Sequence, residues 1–347
     1  MPLNRRQFLL GAAGAAAAGA AGLTVAKHPW AASASHGASG SAAPGSTAAA
    51  GANAAAGAAS SDRILVVTTL YGGNDGLNTL IPYEAGQYLG GRADLGYKPE
   101  EVLVLGDGLG LHPNLKGLKG LWDAKTLAVV RGVGYPNPNR SHFRSMDIWQ
   151  TATPETAVVT GWLGRWLDGT GDDPLRAVSV GNTLPRLLSG ERTAGSSVPV
   201  GNISLPGGAT VASGFAALST PTADGSGLGN RIAQTGSDLL RVNKSISEML
   251  ASLPPDAPSA GAGGDGAPDA SVAAGKPAAG SLAGQLDLVA KLIRAGSPTK
   301  AYSVSLGGFD THANEKDTHA RLMGELDAAV TGFFKALGTG PQASKVV

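Results

Sequence analysis

Short runs of β-branched and other apolar residues recur along the chain and predict buried strands. Ile64–Leu70 (ILVVTTL) is such a run and is typical of a parallel strand that is covered on both faces. The strands predicted in this way are Ile64–Leu70, Val102–Leu105, Thr126–Arg131, Leu175–Val180 and Ala301–Leu306.

Between these runs, apolar residues repeat at the spacing of one face of a helix. The predicted helices are Leu115–Trp122, His142–Gln150, Trp162–Leu167, Ile232–Leu250, Leu282–Ile293 and Glu315–Leu337. Strands that alternate with helices predict an α/β fold, in which a mostly parallel sheet has helices on both faces.

The N-terminal segment has the organisation of an export signal. Arg5 and Arg6 precede Phe8 and a weakly apolar run, Leu9–Ala26, and Ala32–Ala34 fits a cleavage site. Paired arginines before Phe-Leu favour the twin-arginine pathway, whose translocon would then be a transient partner. The alternatives are an ordinary Sec signal and an N-terminal membrane anchor, although the run is too rich in Ala and Gly to hold a helix in a bilayer. The mature protein is predicted to be periplasmic, extracellular or bound to the cell envelope.

The chain divides into segments of different composition. Residues 1–34 are predicted to be the signal peptide, residues 35–61 a disordered Ala/Gly/Ser tether, and residues 62–347 the α/β domain. A Pro/Gly/Ala/Asp-rich stretch at 254–280 is predicted to be a disordered insertion. Lys345–Val347 resembles the opening of a further strand, so the domain is expected to be incomplete at its C-terminus.

Composition and charge exclude several functions. The net charge is +1 and only 15% of the residues are charged, so the chain offers no basic surface for nucleic acid. The absence of cysteine excludes thiolate metal sites and cysteine nucleophiles. Any metal must therefore be held by oxygen or imidazole ligands. Past the signal, no stretch approaches the ~20 apolar residues of a membrane span.

The loop after the first predicted strand is a candidate site. In open α/β sheets, ligands bind beyond the carboxyl ends of the strands. Residues 71–78 read YGGNDGLN, in which the glycines permit close approach of a ligand and Asp75 offers a carboxylate. The alternative is a simple turn that is rich in Asn, Asp and Gly.

A second candidate begins the helix that follows residue 141. Ser141 would lie at the helix N-terminus, where backbone N–H groups favour an anion, and it is a candidate nucleophile toward a phosphate or sulfate ester. Arg140 or Arg144 would balance the charge of that ester, and His142 is counted among the candidate catalytic residues. Alternatively, Ser141 is only the N-cap of the helix.

A third candidate follows the strand Ala301–Leu306. Asp310 and His312 form an Asp-x-His pair that can place two ligands on one divalent metal ion. His319 is either a further ligand in the same crevice or a hydrogen-bonded core histidine. His112, in a lone His-Pro pair, is interpreted as structural.

The motifs together resemble a known family. They are the twin-arginine signal, YGGNDGLNTLIP at 71–82, LGLHPNL at 109–115, the run from TLAVVR to MDIWQT at 126–151 and GGFDTHANE at 307–315. As a set they resemble a bacterial family of twin-arginine-exported proteins whose domain has no assigned function. That family is similar in fold to the alkaline phosphatase and sulfatase superfamily.

The resemblance implies specific roles for these residues. Asp75 would be an N-terminal metal carboxylate, Ser141 the nucleophile, and Asp310 with His312 an Asp/His metal pair. Two metal ions would then polarise the ester, and attack would form a covalent phospho- or sulfo-enzyme. Members of the family continue into a Ser-Glu-Phe-Gly-Arg-like strand and a Gly-Thr-Asp-His-Gly-like loop with further ligands. Residues 62–347 would therefore hold at most half of a metal site.

Two functions remain open at this point. One is an exported metal-dependent hydrolase of small phosphate or sulfate esters. The other is a non-catalytic exported binding or structural protein on the same fold. The missing C-terminal motifs favour the second for this chain.

Overall fold

The computed structural model describes residues 62–92, 94–201, 208–222, 227–254 and 280–347. The predicted signal peptide and tether lie outside these residues, as do positions 255–279 of the predicted insertion. In the described part of the chain, no helix has the length and apolar character needed to cross a membrane.

Strands and helices alternate along most of the chain. The strands are β1 (Leu65–Leu70), β2 (Leu80–Ile81), β3 (Leu103–Gly106), β4 (Leu109–Leu111), β5 (Ala177–Val180), β6 (Ser196–Val198) and β7 (Ala301–Leu306). The helices are α1 (Gly76–Thr79), α2 (Gly86–Gly91), α3 (Lys116–Asp123), α4 (His142–Thr151), α5 (Trp162–Asp168), α6 (Gly208–Leu218), α7 (Gly227–Ala251), α8 (Leu282–Arg294) and α9 (Glu315–Leu337).

The larger sheet is parallel and has the strand order β1-β7-β5-β6. Its longest pairing joins β1 to β7, from Leu65 opposite Ala301 to Leu70 opposite Leu306. β7 is almost wholly buried, whereas every residue of β1 is half-buried because β1 lies toward the edge. The predicted α/β class with a mostly parallel sheet is confirmed.

Helices cover both faces of this sheet. Alternate residues of a strand point to opposite faces, so each strand contacts helices on two sides. On one face, Tyr302 and Val304 pack into the cluster that contains the apolar sides of α8 and α9. On the other face, Ala301 packs against Leu163 and Leu167 of α5. Residues on both faces of β7 are therefore buried, as expected for a parallel strand that is covered on both sides.

A polar side chain ties α8 to the sheet. Gln285 is buried, and its Nε2 donates to the backbone carbonyl of Ser305 while its Oε1 accepts from the Ser305 N–H, each at 2.9 Å. A buried amide that is paired in this way avoids the cost of desolvation without a partner. This contact fixes α8 against the strand whose carboxyl end carries Asp310.

Two of the predicted strands differ from the structure. The prediction at Val102–Leu105 corresponds to β3, but β3 belongs to a small antiparallel sheet of order β2-β4-β3 rather than to the parallel sheet. The prediction at Thr126–Arg131 is wrong, because this segment has no regular secondary structure. Val129 and Val130 are exposed there. Propensity alone does not form a strand, which requires a neighbouring strand for its hydrogen bonds.

The exposure of Val130 gives a testable result. We expect Val130→Thr to change the free energy of unfolding by less than about 0.5 kcal/mol, because its side chain is 78% exposed. In Val304→Thr the same change buries a hydroxyl in the core and is expected to cost about 1–3 kcal/mol. Urea unfolding followed by circular dichroism measures both, and equal losses would contradict the placement of Val130.

The final residues lie along the outer edge of β1. Val346 forms a parallel bridge with Ile64. Ile64 N–H donates to the Lys345 carbonyl at 2.8 Å, Val347 N–H to the Ile64 carbonyl at 2.8 Å, and Val66 N–H to the Val347 carbonyl at 2.7 Å. These residues thus pair as a strand does, as the two valines predict.

Candidate functional site

The carboxyl ends of β1 and β7 meet at one edge of the sheet. Tyr71 N–H donates to the Leu306 carbonyl at 2.8 Å, and Phe309 N–H donates back to the Tyr71 carbonyl at 3.2 Å. Gly72 has a φ of +108°, and a Cβ at this position would lie 2.5 Å from the Asp310 backbone nitrogen. Only glycine therefore allows these two loops to approach so closely.

Three predicted site residues come together at this edge. His142 Nε2 and His312 Nε2 each lie 3.1 Å from the same oxygen, Oδ1 of Asp310. The side chains are open to solvent, with exposed fractions of 54% for His142, 52% for Asp310 and 87% for His312. We call these three residues the Asp310 cluster. Its members come from α4 and from the loop after β7, so the fold brings together motifs that are distant in sequence.

Ser141 lies directly before this cluster at the start of α4. Its Oγ accepts from Arg144 N–H at 3.5 Å, which is the geometry of an N-cap, and its own N–H donates to Asn139 Oδ1 at 2.8 Å. Ser141 and Arg140 are both exposed, and Arg140 lines the cavity beside β1. Ser141 is therefore the N-cap of α4. The backbone N–H groups at this end of the helix also favour the binding of an anion.

Asp75 is engaged by other residues. Its carboxylate caps α1 by accepting from Leu77 N–H and Asn78 N–H, and it forms an ion pair with Arg92. Glu315 lies close by, and burial together with the negative charge of Asp75 raises the pKa of the Glu315 carboxyl. Asp75 thus lies in a carboxylate–guanidinium group of its own. Sequence reasoning missed Arg92 and Glu315, since nothing in their local sequence marks them.

His319 is buried rather than open to the Asp310 cluster. Its Nε2 lies 3.1 Å from Asn74 Oδ1, and its Nδ1 is buried without a hydrogen-bond partner in the described part of the chain. Burial lowers the pKa of His319, while the charge of Asp75 acts in the opposite direction. Of the two interpretations given for His319, its placement is that of a core histidine.

His112 forms the centre of the same buried network. Its ring packs edge-on against that of His319, with 5.5 Å between centroids, and its Nε2 lies 2.8 Å from the Tyr97 hydroxyl. Its Nδ1 accepts from Asn114 N–H at 3.0 Å, so the neutral ring carries its proton on Nε2. Burial lowers the pKa of His112 to about 4, and the charge of His319 adds to that effect. The buried and hydrogen-bonded position of His112 agrees with the structural role that the sequence predicts.

A cavity of about 1150 Å³ opens beside β1 and the start of α4. Its lining includes Arg140 and also His142, which belongs to the Asp310 cluster. Its apolar lining includes Phe143, Trp149 and Trp162. This volume exceeds that of ordinary small-molecule sites, which hold about 300–1,000 Å³.

The donors of the Asp310 cluster are chemically suited to a divalent ion. One carboxylate and two imidazoles are the ligands that borderline ions such as zinc accept. As placed, the two imidazoles contact the carboxylate of Asp310. No set of three or more His, Cys, Asp or Glu side chains in residues 62–347, outside the gaps given above, is already arranged around a metal position. Because all three side chains are exposed, they can turn to share an ion without disturbing the core.

No family model matches the chain, and no curated protein or solved structure matches it either.

Proposed function

We propose that this chain is an exported hydrolase of small phosphate or sulfate esters on an alkaline phosphatase-like fold, with a divalent metal ion bound at the Asp310 cluster. The observation that carries the proposal is the convergence of His142 and His312 on one oxygen of Asp310. The position of this cluster at the carboxyl ends of parallel strands supports it, because ligands of open α/β sheets bind there. Export by the twin-arginine pathway is proposed from residues 1–34.

Each residue has a role in this proposal. Asp310, His142 and His312 would hold the ion, which when bound supplies positive charge to polarise the ester. The hydroxyl of Ser141, at the N-terminus of α4, attacks phosphorus or sulfur as the bond to the alcohol oxygen breaks, and the hydroxyl proton leaves with the alcohol. Water then releases the phosphate or sulfate from Ser141. Arg140 provides the charge that attracts the anionic group, since it lines the adjoining cavity.

Removal of the Asp310 carboxylate tests the metal site. We expect Asp310→Asn to lower zinc or manganese affinity at least about 100-fold, because loss of a direct ligand should exceed the 10–100-fold cost of losing an outer-shell partner. Asp75→Asn is the matched control: it also removes a carboxylate after β1, but that carboxylate is held by Arg92. Elemental analysis after dialysis and calorimetric titration measure both. If the unaltered chain binds no divalent ion, or if both variants lose it equally, the proposed site is wrong.

The nucleophile is tested with the same preparation. Ser141→Ala should lower the hydrolysis of aryl phosphates and sulfates about 1,000-fold or more while metal binding is retained. The lost cap should cost only about 1 kcal/mol of stability, so the variant stays folded. Retained hydrolysis in Ser141→Ala would remove Ser141 from the mechanism without affecting the metal assignment.

A second candidate function is that of a non-catalytic exported binding protein. The observation that favours it is the engagement of Asp75 by Arg92, which withdraws one of the carboxylates that the resemblance assigns to metal. The two candidates differ in turnover: a binding protein would retain phosphate or sulfate at the Asp310 cluster and release no alcohol from an aryl ester.

A further inference from the structure

The two inner strands of the parallel sheet, β5 and β7, separate toward their carboxyl ends. Their pairing ends at Ser179 opposite Ser303. Beyond this point the backbone N–H and C=O of Ser305 pair with the side-chain amide of Gln285 rather than with a strand. A cavity of about 430 Å³ is lined by the carboxyl halves of both strands. Its volume falls within the range of small-molecule sites, about 300–1,000 Å³.

The connections that follow these two strands run in opposite directions. After β5 the chain forms β6, which pairs with β5 on the side away from β7. After β7 the chain passes through α9 to Val346, which bridges to Ile64 on the outer side of β1. Neighbouring parallel strands whose connections diverge in this way form a topological switch point, and open α/β sheets bind ligands in the crevice there. The cavity between β5 and β7 lies at this position.

Two buried serine hydroxyls face the cavity without partners. Ser179 and Ser303 are only 5% and 6% exposed, and both line the cavity. Neither Oγ has a hydrogen-bond partner among the residues that the structure describes. A buried hydroxyl without a hydrogen bond is costly, so a polar molecule in the cavity would gain affinity by pairing with these two groups.

The hydroxyl of Tyr71 supplies a third donor in the lining. Leu187 N–H donates to Gln150 Oε1 at 3.1 Å, so the other end of this amide, Nε2, donates to the Tyr71 hydroxyl at 3.1 Å. The Tyr71 oxygen is therefore an acceptor from Gln150, and its own proton is available to a ligand. Burial raises the pKa of Tyr71, so the hydroxyl keeps this proton at neutral pH.

The charge of the lining favours an anion. Of the lining residues that the structure describes, Arg186 alone carries a full charge. Its Nη1 lies 3.0 Å from Asp147 Oδ1, and its other N–H groups have no acceptor within the described ranges. An anionic group offers only acceptors, which is what free hydroxyl protons and a guanidinium require.

We propose that the cavity between β5 and β7 binds a small organic anion, whose phosphate, sulfate or carboxylate group accepts hydrogen bonds from Ser179, Ser303 and Tyr71. Arg186 adds positive charge, and the rest of the cavity accommodates the organic part of the molecule. No residue of the Asp310 cluster is among the described residues that line this cavity. The site is therefore independent of the metal ion and of the hydrolysis proposed above.

Calorimetric titration of the full chain with phenylphosphonate, benzenesulfonate and benzoate at constant ionic strength tests the proposal. These probes share one organic part and differ in the anionic group, so the tightest of them identifies the preferred group. Ser303→Ala should weaken its binding at least about tenfold, because a hydrogen bond to a charged group is lost. Ser219→Ala is the matched control and should leave binding unchanged. Ser219 is also 6% exposed, but its Oγ donates to the Phe215 carbonyl at 2.7 Å, away from the cavity.

Thermal unfolding without ligand separates a binding role from a structural one. Ser303→Ala should not lower the unfolding midpoint, because its hydroxyl has no partner to lose, whereas Ser219→Ala should lower it. Tyr71→Phe should weaken anion binding as Ser303→Ala does, and Asp310→Asn should retain it. The proposal is overturned if none of the three anions binds saturably or if benzyl alcohol, the neutral probe, binds equally well. Unchanged binding in both Ser303→Ala and Tyr71→Phe, or loss of binding in Asp310→Asn, would also overturn it.

Discussion

Lowering the pH from 7 to 4 is expected to cost the folded state about 3 kcal/mol through His112 alone. The pKa of His112 is about 4 in the folded protein, against 6.5 for the free side chain. Each pKa unit corresponds to about 1.4 kcal/mol. Above pH 6.5 the imidazole is neutral in both states, so the full stability is present. As the pH falls from 6.5 to 4, the unfolded chain takes up a proton that the folded chain does not, and stability is lost over that window.

The structure gives the physical reason for this pH dependence. A second proton on His112 would have to go onto Nδ1, which faces the Asn114 N–H in a buried site. The lowered pKa of the neighbouring His319 acts in the same direction.

Urea unfolding at pH 7, 5.5 and 4.5, with His112→Gln as the comparison, measures the effect. The variant should be less stable at pH 7 but should lose less stability between pH 6.5 and 4. The comparison with the parent removes the contribution of the carboxylates, which titrate in both proteins. Parallel curves for the parent and for His112→Gln would contradict the assignment.

Gly164→Ala is expected to destabilise the protein by about 3 kcal/mol, although alanine favours helices. A Cβ at Gly164, within α5, would lie 2.0 Å from the Ser189 carbonyl oxygen and 2.5 Å from the Gly190 nitrogen. These are backbone atoms, so no side-chain rotation relieves the overlap, and α5 must move away from the segment at Ser189.

Gly120→Ala in α3 is the matched control for this prediction. No atom lies within 4 Å of a Cβ there, so the helix preference of alanine should stabilise the fold by about 0.5–1 kcal/mol. Thermal and urea unfolding of both variants measure the difference. A neutral Gly164→Ala would contradict the close packing of α5 on the segment at Ser189.

Much of the fold could be predicted because its signals are local. Ala301–Leu306 and Glu315–Leu337 are observed with the predicted bounds, since an apolar run and a helical stripe are properties of neighbouring residues. Thr126–Arg131 carries the same kind of signal and yet forms no strand. A strand depends on a neighbouring strand from any part of the sequence, and the local pattern contains no information about that neighbour.

For the candidate site, too, the positions of the residues could be predicted from the sequence, but their contacts could not. The placement of Asp75, Ser141 and Asp310 after strands or at a helix start followed from their positions in the sequence, because the carboxyl ends of parallel strands share one edge. The residues that these side chains contact could not be predicted from the sequence. Asp75 pairs with Arg92, whereas Asp310 contacts His142 and His312.

The sequence by itself determined the α/β class, most of the elements and the loops in which polar chemistry is concentrated, since these depend on residue type and short-range periodicity. Only the tertiary structure decided which carboxylate stays exposed and that His319 lies in the core beside His112. These features depend on contacts between segments that are distant in the chain, and burial and hydrogen-bond partners exist only once those segments have packed together.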